Sequence, residues 1–244
     1  MTKMLKASLL FAATLALVAC DSGTSTAAPA ASDAAGGGKA AASADWTQTV
    51  VLTPEGGYRM GNPDAKVKLV EFASFTCGVC QMFHKESATL KSDYVKSGRV
   101  SLEYRPFMLN IYDFAATKLA MCEGPGRFFT WADQLFTNKE AWITPFGKLT
   151  EADINPLRSL PPGEQVKGLA LAGQLDQFAK ARGLPGAKFE ACMSDQAAFE
   201  QLTKRQQVAT DTYQIAGTPT FLMNGKKIEG TTWAQIEPQI KDAL

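Results

Sequence analysis

Cys77 and Cys80 are the residues of this chain whose type and spacing could do the most chemistry. They stand in Phe75-Thr76-Cys77-Gly78-Val79-Cys80, between an apolar run, Val67 to Ala73, and an amphipathic one, Gln81 to Val95. That order predicts a strand leading into a helix, with Cys77 at the helix N-terminus. Free N–H groups and the helix dipole there favour a thiolate over a thiol. The thiolate is the form that attacks a disulfide. Cys80, three residues on, falls on the same helix face and can resolve a mixed disulfide made by Cys77. Half of a zinc site and a structural disulfide are the competing readings. Zinc needs four ligands, and the chain offers one histidine, His84, and no second close pair of cysteines. Redox exchange is therefore the favoured reading of the pair.

Glu71 lies six residues before Cys77. A strand period of two places it on one face with Val67, Leu69 and Ala73. A carboxylate aimed into a core has a raised pKa and can exchange protons. It would then relay protons or tune Cys80; a strand-end carboxylate reaching water or an ion pair is the alternative. His84, in the same helix as the cysteines, is read as a surface or packing histidine. A second motif is Gly217-Thr218-Pro219-Thr220-Phe221, leading to Asn224-Gly225, a dipeptide that turns hairpins. Proline at a strand start forces Thr218 into an extended conformation. A cis Thr218–Pro219 bond would be a specific feature, leaving backbone groups of Thr218 free to pair with an incoming peptide. An ordinary trans turn proline is the alternative.

These residues need a scaffold, and the rest of the sequence supplies one. The chain has 244 residues, 45% of them hydrophobic, and a formal net charge of +1. That suits one domain with an insertion and gives no electrostatic case for nucleic acid. Residues 1–19 predict a signal peptide, with Lys3 and Lys6 ahead of the apolar run Leu9 to Ala19. Leu17-Val18-Ala19-Cys20 resembles a bacterial lipobox, which implies a diacylglyceryl group on Cys20 and an anchor to a membrane. Ordinary cleavage near Ala19, with Cys20 incidental, is the alternative. Asp21 resembles the inner-membrane retention signal of enteric bacteria. Residues 20–45 then form a lipidated flexible tether, almost wholly Ala, Ser, Thr and Gly after Cys20. Beyond the N-terminus no apolar run is long enough to span a membrane.

Residues 46–244 hold the folded part. Val67 to Ala73 predicts a strand buried on both faces, and Val100 to Pro106 a second strand. Helical periodicity runs from about 111 to 213, with Phe128, Trp131, Ala132, Leu135 and Phe136 on one stripe. A last helix includes Trp233, Ile236 and Ile240, and Pro238 inside it should kink or restart it. Of five cysteines, Cys20 is assigned to lipid and Cys77 and Cys80 to redox. Cys122 and Cys192 remain, in an exported chain where disulfides persist. A Cys122–Cys192 structural disulfide is expected, with two buried free thiols as the alternative.

Glu71 to Cys80 together with Gly217 to Phe221 resembles the DsbA-like family of thioredoxin-fold proteins. The similarity spans roughly Tyr58 to the C-terminus. It implies an α/β, thioredoxin-like fold with an inserted helical subdomain, and a thiol–disulfide oxidoreductase acting on exported proteins. The resemblance makes Cys77 the nucleophile, Cys80 the resolving thiol, Pro219 the cis-proline with Thr218 beside it, and Glu71 the buried acid. Cys122 and Cys192 resemble a second disulfide of some members. No cofactor is called for. A membrane redox partner, either a quinone reductase or an electron donor, would recycle the pair, and a monomer is the default. One departure is Val79, where strongly oxidising members carry histidine; it implies a less depressed Cys77 pKa and a less oxidising disulfide. The rival from another class is a thioredoxin-like metallochaperone using Cys77, Cys80 and His84.

Overall fold

The computed structural model describes residues 45–244. The expected signal peptide, Cys20 and the tether up to residue 44 lie outside the described residues.

Six strands form one sheet. They are β1 (Val50–Leu52), β2 (Tyr58–Met60), β3 (Val67–Ala73), β4 (Val100–Pro106), β5 (Thr220–Met223) and β6 (Lys226–Ile228), in the order β1-β2-β4-β3-β5-β6. β3 is central, parallel to β4 and antiparallel to β5. Its β-branched and aromatic residues explain the position, since both of its faces are covered. Lys68 is the exposed exception near its start. The register sets Glu71 opposite Tyr104 on β4 and Phe221 on β5, in the middle of the sheet.

Helix α1 (Gly78–Glu86) follows β3 after a four-residue turn, Ser74 to Cys77. The amphipathic run was expected to continue unbroken to Val95, yet α1 stops at Glu86 and residues Leu90–Val95 form a π-helical turn. The wider turn buries Leu90, Tyr94 and Val95 together, a spacing that a regular helix would splay.

Eight helices follow β4: α2 (Ile111–Met121), α3 (Pro125–Thr137), α4 (Lys139–Gly147), α5 (Glu151–Ile154), α6 (Pro162–Ala172), α7 (Leu175–Lys180), α8 (Gly186–Met193) and α9 (Gln196–Asp211). Together they make the inserted helical subdomain between β4 and β5. The Phe128–Phe136 stripe of α3 is buried against the sheet, and Phe128 stacks on Tyr58 with ring centroids 3.7 Å apart. Ala209 of α9 packs on the opposite face, with Val70, Phe72 and Leu222. A disulfide joins Cys122, at the C-cap of α2, to Cys192 in α8.

The last helix, α10 (Trp233–Ala243), runs through Pro238 as one element. The helix does not restart at Pro238, one of the two outcomes expected there. Pro238 and Ala234, whose carbonyl loses its helical partner, both face solvent, so water can satisfy that oxygen.

Candidate active site

Cys77 is the N-cap of α1, with extended backbone (φ −72°, ψ 126°), and its Sγ accepts the Cys80 N–H at 3.2 Å. The turn before α1 is tied by Ser74, whose Oγ accepts the N–H groups of Thr76 at 3.1 Å and Cys77 at 3.2 Å. The Thr218–Pro219 peptide bond is cis, and Thr218 O lies 3.4 Å from Cys77 Sγ. The chain's two separate motifs thus meet at one sulfur. Cys77 is 8% exposed and Cys80 not at all, so Cys77 is the sulfur a second molecule can reach. Both are free thiols.

The electrostatics divide the pair. The Cys80 thiol, donating to Cys77, does most to lower the Cys77 pKa, to about 5; burial opposes this, and the Thr218 hydroxyl and the N–H groups of Cys80 and Val79 assist. That hydroxyl has no other partner, so the thiolate is the acceptor left to it. Burial pushes Cys80 strongly the other way, reinforced by the Cys77 thiolate and by Glu71. One sulfur is held as a nucleophile and its neighbour as a protonated thiol. Val79 between them is half-buried against the core and offers no side-chain donor.

Glu71 is buried, and its Oε1 has no hydrogen-bond partner. Burial first, then the Cys77 charge, raise its pKa to about 8, with Lys91 opposing. Among the described residues it makes no ion pair. His84 stacks on Phe136 at 4.9 Å, with Nε2 3.3 Å from Asp133 Oδ1. Burial, and then Lys91, lower its pKa to about 4, so it is neutral at neutral pH and lends no charge to Cys77.

Two site neighbours were missed in the sequence, Asp113 in α2 and Lys139 at the start of α4. Both approach the residues just before Cys77 from the helical insert. The only signal was local: Asn110-x-x-Asp113 has the spacing of a helix cap, and Asn110 Oδ1 does accept the Asp113 N–H at 3.0 Å.

Residues 53–242 match the family described as thioredoxin. The chain belongs to the thioredoxin family. It is similar to the protein-disulfide isomerase of Novosphingobium aromaticivorans, 31% identical, with a TM-score of 0.70 over 75% of this chain and 95% of that one. It is also similar to Wolbachia pipientis alpha-DsbA1, 20% identical, TM-score 0.62, over 79% of this chain and 93% of that one; that likeness is one of fold. A Rickettsia bellii protein named for protein-disulfide oxidoreduction is 26% identical over 187 residues, 76% of this chain. The matched stretch spans 63% of that relative's length. This thioredoxin-family chain therefore carries the DsbA-like arrangement of a thioredoxin sheet with a helical insert.

Proposed function

We propose that this protein is a thiol–disulfide oxidoreductase that forms or rearranges disulfides in exported proteins through Cys77 and Cys80. The observation that carries the reading is the division of the two sulfurs. Cys77 is reachable and favoured as a thiolate, beside a backbone carbonyl that can pair with a bound peptide; Cys80 is buried and protonated. The names of the Novosphingobium and Rickettsia relatives point the same way.

In the oxidising direction a client thiolate attacks Cys77 Sγ of the Cys77–Cys80 disulfide. The S–S bond breaks, and Cys80 leaves with the electron pair and takes a proton, for which Glu71 is the buried donor. A second client thiolate then attacks the client sulfur of the mixed disulfide and releases Cys77 as thiolate. Two client thiols become a disulfide, and the enzyme pair becomes a dithiol. In the isomerising or reducing direction the Cys77 thiolate attacks a client disulfide, and Cys80, giving its proton to Glu71, displaces the client. The direction depends on the redox partner that recycles the pair, a membrane quinone reductase or an electron donor. Cys20, carrying lipid, would hold the domain on the periplasmic side of a bacterial membrane, the inner one given Asp21, and the domain would work as a monomer.

The metallochaperone reading has no observation in its favour: among the described residues no three potential ligand side chains gather. The test is trapping. In a Cys80→Ser variant the Cys77 thiolate attacks a client disulfide and expels the client's other sulfur, with no second thiol to resolve the adduct. That variant should accumulate a mixed disulfide with a disulfide-containing, scrambled client, and a Cys77→Ser variant should accumulate none. Mixed disulfide at Cys80, or at neither residue, would sink the proposal.

A further inference from the structure

The helical insert grips the two residues ahead of the nucleophile. Asp113 is fully buried at the third position of α2. Its Oδ1 accepts the Phe75 N–H at 2.9 Å, and its Oδ2 accepts the Leu109 N–H at 3.0 Å. The Thr76 hydroxyl stands 3.4 Å from that Oδ2 and 3.0 Å from Asn110 Nδ2, from which it accepts. Lys139, the first residue of α4, donates from Nζ to Thr76 O at 2.7 Å. The Thr76–Cys77 peptide unit is thus held at both ends: Lys139 binds its oxygen, and Ser74 Oγ accepts its N–H at 3.2 Å.

Such an arrangement is costly if it only supports the fold. A buried carboxylate loses its hydration, and an apolar side chain of similar size often packs as stably. Burial raises the pKa of Asp113 to about 6 despite the donors around it, Ser74, Leu109, Phe75 and Thr76. What the carboxylate supplies is acceptors for two N–H groups at one spot, Phe75 in the turn before Cys77 and Leu109 in the segment leading into the insert. No single backbone element could serve both.

We propose that Asp113 and Lys139 are positioning residues for Cys77. From α2 and α4 they fix the Phe75–Thr76 turn, so that Cys77 Sγ sits under the Cys80 N–H and beside Thr218. Neither touches the reacting sulfur. Their effect passes through the backbone of Phe75 and Thr76, and it makes the helical insert a working part of the redox site. The inference rests on the oxidoreductase reading for its consequence in exchange, but not for its effect on the Cys77 thiolate.

Three variants test it: Asp113→Asn, Lys139→Met and Thr76→Val. The readouts are the Cys77 titration by thiolate absorbance, the rate of exchange with a small disulfide, and the thermal midpoint. Asp113→Asn keeps the volume but turns a donor toward Leu109 or Thr76. It should raise the Cys77 pKa and slow exchange roughly tenfold, because small misplacements of a reacting atom are expensive. Lys139 is half-exposed, so Lys139→Met should fold normally and shift the Cys77 titration in the same direction with little change in midpoint. Should Asp113→Asn fail to fold, Lys139→Met and Thr76→Val decide. Folded variants that titrate as wild type would overturn the proposal, as would variants whose midpoint falls while the Cys77 pKa stays put. If the Cys80→Ser variant traps no client but the titration of the positioning variants still shifts, the oxidoreductase reading fails and the positioning role stands.

Discussion

Val79 is the residue that bears most directly on how oxidising this pair is. A low nucleophile pKa stabilises the reduced form and makes the disulfide a stronger oxidant. Here the Cys77 pKa is held near 5 by the Cys80 thiol, the Thr218 hydroxyl and two backbone N–H groups, with no donor side chain at position 79. General values run from about −270 mV for thioredoxin to about −120 mV for DsbA, and this protein is expected to equilibrate with glutathione between them. A Val79→His variant adds a donor and should move the potential toward the DsbA end; a wild-type value already there would contradict the argument. Glu71 gives a pH prediction. Its folded pKa, about 8, lies above the unfolded value, so the native state binds the proton more tightly. Stability from this group is full at low pH and is lost as pH rises through the folded value, by about 1.4 kcal/mol for each unit between the two pKa values. Glu71→Gln should therefore be more stabilising at pH 8 than at pH 5. Oxidised protein is the sample to use, because there Cys77 neither titrates nor adds its charge, and burial, the larger cause, still raises the Glu71 pKa. A difference independent of pH would show that Glu71 is not buried as described. The same variant should slow client release, since Cys80 loses the group that takes its proton.

Among the elements, α2 and α8 show how a helical insert is locked. Lys118 is 1% exposed, and its Nζ donates to Met193 O at 2.7 Å and Asp195 O at 2.9 Å. It serves as a cap that α8 does not provide for itself. Burial lowers its pKa, with Asp195 and Glu164 opposing, and the two carbonyls repay part of that cost. Lys118→Met would fill the space and leave both oxygens without this donor, a loss of about 1–3 kcal/mol. Urea denaturation should show the lower midpoint, and the Cys77 titration should not move. At helical spacing Lys118 falls on one stripe with Phe114, Ala115, Leu119 and Cys122, but a stripe does not say that a lysine will be buried with its charge satisfied. The halt of α1 at Glu86 and the unbroken α10 have the same character. The first goes with the joint burial of Leu90, Tyr94 and Val95 and the second with the exposure of Pro238 and Ala234 to solvent, neither of which local periodicity expresses.

For the whole molecule, the largest covalent constraint is the Cys122–Cys192 disulfide, which spans 70 residues. In the chain-entropy account a loop of that length contributes about 4 kcal/mol by restricting the unfolded chain. The double variant Cys122→Ala with Cys192→Ala should lower the thermal midpoint by several degrees and leave mixed-disulfide trapping at Cys77 intact. A midpoint unchanged within error would mean that the insert is held by packing alone. Removing the bridge also probes whether the insert acts as one body on the redox turn, because the α2 and α4 side chains that hold Phe75 and Thr76 belong to the same helical subdomain.

Much of this protein is legible along the chain because its chemistry is local. Cys77 and Cys80 sit three residues apart at a strand–helix junction, and that spacing alone brings one sulfur to a helix N-terminus. The alternation of β3 turned Glu71 inward, and an apolar strand with a carboxylate in it is visible without a fold. The long helical stretch between two extended segments could be read from periodicity, and the resemblance of the two motifs to a known family implied that it splits a thioredoxin-like sheet. What needed the tertiary structure is everything joined across long stretches of chain. Thr218 reaches Cys77 over 141 residues, Asp113 reaches Phe75 over 38, and Lys139 reaches Thr76 over 63. Those contacts depend on how helices pack on a sheet, and packing is decided by complementary shape between surfaces far apart in sequence. The reactive pair could be named from its spacing, whereas the groups that tune and hold it are assembled by the folded chain.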